Sequence, residues 1–169
     1  MTSIRDLFDR ASDWNAWLDR VGDKRAAWED AREHATLGEL APEYAALDEP
    51  RYVIAIADAE SAESAASLPL LARALDTGDS PAELRFLDRH ADADRLTRAL
   101  GVVPAISPLC LVFDEDWTEC GRWAPRQAAG SQVLREFLPV LRGEPTETRQ
   151  PWKTLTHHLW RQVDRARRE

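Results

Sequence analysis

Cysteine is scarce in this chain of 169 residues, which contains only Cys110 and Cys120. Two cysteines cannot build a disulfide framework or a four-cysteine zinc site. Glycine is sparse as well, and the 7 glycines are scattered, so that no phosphate-binding loop is present. We therefore expect free thiols, no metal and no cofactor.

Long hydrophobic runs are also absent, since no apolar stretch approaches the roughly 20 residues that span a bilayer. The first ten residues, MTSIRDLFDR, lack the basic start and continuous apolar stretch of a secretory signal. A content of 44% hydrophobic and 31% charged residues is typical of a soluble globular chain. We expect a cytoplasmic protein with no membrane partner.

Only one segment has a clear excess of basic over acidic side chains. The formal net charge is -8, yet residues 152–169 carry five Lys or Arg side chains against Asp164 and Glu169, which makes that segment locally basic and the rest strongly acidic. An acidic body would repel phosphates, so we expect no nucleic-acid partner. The basic segment is interpreted as a solvated helix end.

The hydrophobic pattern predicts helices before residue 50 and a mixed α/β arrangement after it. Three helices are predicted over residues 4–21, 23–34 and 37–46. Then follow strand, helix, strand, helix, strand, strand and helix, over residues 51–57, 61–75, 83–88, 93–100, 109–113, 119–123 and 128–141. The last two strands flank an acidic turn and are predicted to form a hairpin.

Three segments resemble a bacterial group of thioredoxin-like proteins. They are IAIADAESAESAASLPLL at 54–71, LRFLDRHADADRL at 84–96 and PLCLVFDEDWTECGRWAPR at 108–126. The last is the most specific, because in that group the hairpin ends in a similar Gly-Arg-Trp, small residue, Pro-Arg run. The resemblance covers about residues 51–141, and more loosely the N-terminal helices.

The predicted fold class is therefore α/β, with a thioredoxin-like βαβαββα core, extra N-terminal helices and a C-terminal helix. We divide the chain into an N-terminal helical extension (1–50), a thioredoxin-like domain (51–143), and a linker with a C-terminal helix (144–169).

The resemblance implies that both redox-active cysteines are missing. In that group the nucleophile lies where the first strand turns into its helix, in a run like Glu-Asp-Trp-Cys-Gly-Asp. Here the run reads DAESAE, which puts Ser61 and Ser64 at the two cysteine positions. A helix N-terminus stabilises a thiolate but does not ionise a serine, and Glu60 and Glu63 would repel an anion. Ser61 is instead typical of an N-cap.

The resemblance also implies a cis-proline at the start of the third strand, beside a backbone edge that accepts extended peptides. Pro108, after Ser107, is the first candidate. Family members usually carry an aliphatic residue before this proline, and Ile106 lies one position too early, so that the loop would hold an extra residue. Pro104 is the alternative.

The hairpin contains three further candidate residues. Cys110 and Cys120 lie on its two arms and could face each other as a redox pair, or each could be a small buried hydrophobic residue. Trp117 stands in the acidic turn, where relatives tend to carry Gly, and an exposed tryptophan there would be a contact residue. Elsewhere in the chain, His157 and His158 are adjacent, but no cysteine or carboxylate pattern that would complete a metal site accompanies them.

We predict a redox-inactive module that binds an unidentified protein or peptide through Ser61, Ser64, Pro108 and Trp117. One alternative is a thiol–disulfide oxidoreductase of altered design that uses Cys110 and Cys120, and this is the reaction expected if the chain is an enzyme. Another alternative is a structural homodimer formed by the terminal helices. Those helices contain five tryptophans that could instead pack on each other or on the sheet, namely Trp14, Trp17, Trp28, Trp152 and Trp160.

Overall fold

The computed structural model describes residues 2–76, 80–101, 108–125 and 129–144. Its α-helices are α1 (Ile4–Arg10), α2 (Trp14–Val21), α3 (Arg25–Glu33), α4 (Ala41–Ala45), α5 (Ala62–Leu75), α6 (Ala93–Leu100) and α7 (Ser131–Leu141). Its strands are β1 (Arg51–Ala57), β2 (Ala82–Asp88), β3 (Leu109–Phe113) and β4 (Glu119–Trp123). The order of strands and helices after residue 50 is as predicted, and the predicted C-terminal helix lies outside the described residues.

The four strands form one mixed sheet in the order β2-β1-β3-β4. Strands β1 and β2 are parallel and are connected through α5, whereas β3 is antiparallel to β1 and β4 is antiparallel to β3. A parallel crossover followed by a hairpin on the other side of β1 is the arrangement of the thioredoxin-like α/β fold. The predicted fold class is therefore confirmed.

Helices cover both faces of the sheet, as the continuous apolar run of β1 predicted. Val53 and Ala55 belong to a hydrophobic core that includes residues of α2, α3, α5 and α7. Ile54 and Ile56 point to the opposite face and belong to a second core with residues of α1 and α6. The division of the chain at residues 50 and 143 stays a prediction.

The predicted first helix is interrupted, and this corrects the sequence analysis. Helix α1 begins with a capping box at Ser3, and α2 begins again with Asp13 as its N-cap. Between the two helices, Ser12 forms an isolated antiparallel bridge with Phe86 of β2, with N–H···O distances of 2.9 and 2.7 Å. The N-terminal segment therefore crosses the outer edge of β2, which places α1 and α2 on opposite faces.

The N-terminal tryptophans are part of the main core. Trp17 and Trp28 are fully buried, and the Trp17 ring stacks on Phe86 with 5.5 Å between centroids. This agrees with the interpretation that these tryptophans pack on the sheet. Trp152 and Trp160 lie outside the described residues, and the proposed homodimer stays a prediction. Within the described ranges, no helix is both long enough and apolar enough to cross a membrane.

Candidate functional site

The turn between β1 and α5 contains the two serines that the resemblance singled out. Ser61 is the N-cap of α5, and its Oγ accepts a hydrogen bond of 3.2 Å from the backbone N–H of Ser64. The Ser64 side chain is buried, and its Oγ accepts a 3.3 Å bond from the N–H of Asp58. Both hydroxyls thus hold the strand-to-helix turn in shape, as expected for a capped helix start.

A group of charged side chains surrounds this turn. Asp58 Oδ2 lies 3.2 Å from Nε2 of His90 and 3.8 Å from the Arg89 guanidinium, both of which follow β2. Glu60 forms an ion pair of 2.6 Å with Lys24. We call this region, with Asp58, Glu60, Ser61, Arg89 and His90, the charged end of the sheet.

The charge of Asp58 is stabilised where it lies. Its Oδ1 accepts a 2.9 Å hydrogen bond from the backbone N–H of Glu60. This bond, followed by the hydrogen bond and charge of His90 and the charge of Arg89, lowers the pKa of Asp58 below its usual value, although partial burial opposes the shift. Asp58 therefore stays a carboxylate and an acceptor at neutral pH.

Asp92 extends the charged network beneath the surface. Its buried carboxylate accepts a 2.9 Å hydrogen bond from the N–H of Asp88, at the end of β2. The guanidinium of Arg20 lies 3.9 Å from it, and that of Arg95 lies 3.7 Å from it. The carboxylates of this end thus have cationic or hydrogen-bonding partners within the chain.

Pro108 lies at the same end of the sheet as Ser61. Leu109, the first residue of β3, pairs with Ile56 near the end of β1, so the buried Pro108 adjoins the residues that lead into α5. Ser107 and Pro104 lie outside the described residues. The choice between Pro108 and Pro104 as the cis-proline therefore stays a prediction.

Trp117 lies at the opposite end of the sheet from Ser61, Ser64 and Pro108. Its ring stacks on Tyr52, near the start of β1, with 4.3 Å between centroids and an interplanar angle of 10°. Six residues of β-strand separate Tyr52 from Asp58, or about 20 Å. Trp117 therefore does not form one contact surface with the other three residues.

The turn residue Trp117 is half-buried rather than projecting from the turn. Phe8 and Phe113 complete an aromatic group around it, with ring centroids 5.3 and 6.3 Å from Trp117. Its backbone φ of 62° is in the region that favours glycine. We call Phe8, Tyr52, Phe113 and Trp117 the aromatic end of the sheet.

The two cysteines do not face each other, so the hairpin does not form the cross-strand redox pair that was one of the two alternatives. Cys110 pairs with Trp123, and a β-bulge in β4 leaves Cys120 between Gly121, which pairs with Val112, and Glu119. Cys110 is fully buried, and burial raises the pKa of its thiol to about 12. Partial burial also raises the pKa of Cys120. Both thiols are free and poorly suited to form a thiolate.

The Asp58–His90 contact was not anticipated from the sequence. The two residues are distant in the chain, but each follows one of two adjacent parallel strands, and the carboxyl ends of such strands meet at one edge. The expected absence of a metal motif stays an expectation; among the described residues, no group of three His, Cys, Asp or Glu side chains is placed to hold a metal. His157 and His158 lie outside that part.

A small cleft lies apart from both ends, between α2, α3, α5 and β2. Its volume is about 160 Å³, and Trp14, Leu84 and Phe86 form part of its apolar wall. At its rim, Arg32 forms a 2.5 Å ion pair with Asp76 and lies 4.9 Å from the centre of the Trp14 ring. Its charged groups are thus paired with each other or with an aromatic ring.

Comparisons with known proteins support the fold alone. No family model and no curated protein matches the sequence. The structure is similar to an HIV epitope-scaffold, at 17% identity over 85% of this chain and 99% of that one, with a TM-score of 0.70. It is also similar to a protein of unknown function from Pseudomonas aeruginosa, at 20% identity over 85% of this chain and 93% of that one, with a TM-score of 0.65.

A third solved structure is more distant. It is an alkylhydroperoxide reductase component from Enterococcus faecalis, with 17% identity over 71% of this chain and 55% of that one. Its TM-score of 0.48 is too low to support an argument about this chain. Fold similarity of this kind does not define function, which has to be argued from the site.

Proposed function

We propose that this chain is a redox-inactive thioredoxin-like module of the bacterial cytoplasm, which binds a protein or peptide at its charged end. The observation that carries the proposal is the use of the Ser61 hydroxyl as the N-cap of α5, at the position where the resembling proteins have their nucleophile. A hydroxyl in this position caps the helix and provides no thiolate for disulfide exchange.

The charges around Ser61 support the loss of redox chemistry. Asp58 is held as a carboxylate, and Glu60 and Glu63 flank the helix start. Like charges disfavour a second anion at the same place, so a thiolate there would be destabilised. Selection for a low-pKa nucleophile would favour cations free to face the first turn, whereas Lys24 and Arg89 each face a carboxylate here.

The same charged end has the groups that an extended peptide needs. Arg89, His90 and Lys24 provide hydrogen-bond donors, and Asp58 and Glu60 provide acceptors. Pro108 adjoins them at the start of β3, where the resembling proteins present a backbone edge. We propose that the partly exposed Ser61 lines this binding surface, that the buried Ser64 and Pro108 support it from beneath, and that Trp117, at the far end, takes no part in it.

The first test combines a disulfide-reductase assay with thiol titration. We expect no turnover, slow labelling of Cys120, and labelling of Cys110 only after unfolding, because its buried thiol has a pKa of about 12. As a matched control, the double variant Ser61→Cys, Ser64→Cys should form a disulfide but turn over only slowly, because the neighbouring carboxylates disfavour its thiolate. Wild-type turnover that disappears in Cys110→Ser or Cys120→Ser would refute the proposal.

A second test addresses binding directly. Peptides selected from a random library on the immobilised protein are titrated into labelled protein, and chemical shifts are followed by NMR. We expect the largest shifts around Ser61, His90 and Pro108. The exposed residues Ala62 and Ala66 provide a matched pair, because Ala62→Trp should block binding whereas Ala66→Trp, one turn further along α5, should not. Failure to select any peptide, or shifts confined to another surface, would contradict the proposal.

A further inference from the structure

The aromatic end has an apolar surface that the described residues cover only in part. Phe8 and Phe113 are buried there, whereas Tyr52 and Trp117 are half-buried and stack on each other. Tyrosine and tryptophan rings of this kind contribute strongly when a partner covers them. This surface lies at the opposite end of the sheet from the proposed peptide site and shares no residue with it.

Three carboxylates stand beside these rings, on Asp114, Glu115 and Asp116. Asp114 Oδ1 accepts 2.9 Å hydrogen bonds from the N–H groups of Asp116 and Thr118, and this closes the turn. Glu115 and Asp116 are exposed. In the part of the chain that the structure describes, none of the three forms an ion pair, whereas Asp58, Glu60 and Asp92 at the charged end all do.

The chain leaves the described region close to this turn. Arg51, at the start of β1, donates a 2.8 Å hydrogen bond from Nε to the carbonyl of Leu141, at the end of α7. Gly143 then passes Cys120 so closely that a Cβ on Gly143 would lie 3.8 Å from the Cβ of Cys120. Residue 144 therefore lies at the same end of the sheet as the hairpin turn, on the face that α7 covers, and the chain has to pass around the edge of the sheet to reach the rings of Tyr52 and Trp117 on the other face.

We propose that the basic segment 152–169 of this same chain docks on the aromatic end. The segment offers Lys153 and four arginines to the unpaired carboxylates, and it offers apolar side chains at Trp152, Leu155 and Leu159 to the rings of Tyr52 and Trp117. Lys153 is nine positions after Glu144 in the sequence, so an extended chain can place the two at most about 30 Å apart. This length is enough for Lys153 to reach the hairpin turn.

The charge distribution favours this end over the other. A basic segment gains most from carboxylates that have no cation of their own, and those of the charged end are already paired within the chain. Docking on the hairpin turn also keeps the segment about 20 Å from Ser61, the approximate length of β1. The proposed peptide site thus stays open while the tail is bound.

Because the chain contains few lysines, zero-length carbodiimide cross-linking is a specific test of the proposal. Lys24 and Lys153 are its only lysines. Lys24 lies 2.6 Å from Glu60, so a Lys24–Glu60 cross-link is an internal positive control. We expect a second cross-link, from Lys153 to Glu115 or Asp116, in the intact protein. A mixture of light and heavy-isotope protein shows whether that cross-link forms within one chain.

Charge reversal in the tail supplies the second measurement. In the variant Arg165→Glu, Arg168→Glu, the yield of the Lys153 cross-link should fall severalfold, and added salt should lower it in the unmodified protein. The matched control Arg98→Glu, Arg135→Glu alters two exposed arginines of α6 and α7 and should leave the yield unchanged.

Four outcomes would overturn the proposal. Lys153 could remain uncoupled while Lys24–Glu60 forms, or it could couple to carboxylates elsewhere. It could also reach the turn only between light and heavy chains, in which case a second copy covers the aromatic end. An unchanged yield of the Lys153 cross-link in the variant Arg165→Glu, Arg168→Glu would also contradict the proposal.

Discussion

The two ends of the sheet are held together by different kinds of interaction. At the charged end, Lys24 pairs with Glu60 and His90 contacts Asp58, and exposed pairs of this kind contribute little because water screens them. At the aromatic end, rings stack on one another, and the neighbouring guanidinium of Arg51, only 10% exposed, bonds to the carbonyl of Leu141 and to the carboxylate of Glu49. We infer that stability is concentrated at the aromatic end, whereas the charged end can exchange its partners for those of a ligand at little cost.

The largest test of this contrast is Arg51→Met. The substitution keeps an apolar stem but leaves the carbonyls of Pro50 and Leu141 without their donors, so we expect a loss of about 2–4 kcal/mol in the free energy of unfolding. Urea denaturation measures it. Arg135→Met, on the exposed side of α7, is the control and should change the free energy by less than about 0.5 kcal/mol. If the two substitutions lowered the free energy of unfolding equally, the inference that stability is concentrated at the aromatic end would be wrong.

A second prediction separates ring stacking from backbone strain at Trp117. Trp117→Ala loses the contacts with Tyr52 and Phe8 and keeps an alanine at a φ of 62°, so we expect a loss of about 2 kcal/mol. Trp117→Gly loses the same contacts but relieves the strain, and it should be about 1 kcal/mol less destabilising. If the unfolding curves showed Trp117→Gly to be less stable than Trp117→Ala, this account would be contradicted.

At the charged end the expected effects are smaller. Ser61→Ala removes the acceptor for the N–H of Ser64 and should cost about 1 kcal/mol, the usual contribution of an N-cap. Ser61→Asn preserves the cap and serves as the control, with an unfolding free energy close to that of the unmodified protein. If both substitutions were equally destabilising, the role of Ser61 would not be helix capping.

The smallest effect is expected for Asp58 and depends on pH. Because the folded state lowers the pKa of Asp58, this carboxylate contributes stability that is present above its unfolded pKa of about 3.9 and is lost as pH falls through the lower folded value. The difference in unfolding free energy between the wild-type protein and Asp58→Asn should therefore shrink as the solution is acidified below about pH 4.

Local patterns in the sequence predicted much of the fold. The strand Arg51–Ala57 and both strands of the hairpin are found at their predicted bounds, because β-branched runs and an acidic turn are strong local signals. Gly101 ends α6 in the left-handed conformation, as expected for a C-cap glycine. The break between α1 and α2 was missed, although Asp13 in front of Trp14 is a standard N-cap signal.

The features that were missed depend on register or on distant contacts. Cys110 lies opposite Trp123, three residues from Cys120 along β4, and this register is not evident from the sequence of the hairpin. The distance between Trp117 and Ser61 follows from the antiparallel course of β3, which places the hairpin turn at the start of β1. The meeting of Asp58 with His90 follows from the parallel pairing of β1 and β2, which links residues far apart in the chain.

The bridge between Ser12 and Phe86 has a consequence for how the chain is made. The N-terminal helices leave the ribosome first, but the strand that receives them, β2, is synthesised only after β1 and α5. Until then Trp14 and Trp17 have no Phe86 ring to contact, and their apolar surface is open to chaperones and to premature association. The N-terminal segment can therefore close over the edge of β2 only after residue 88 has been synthesised, and slow translation before that residue would prolong the exposure of these rings.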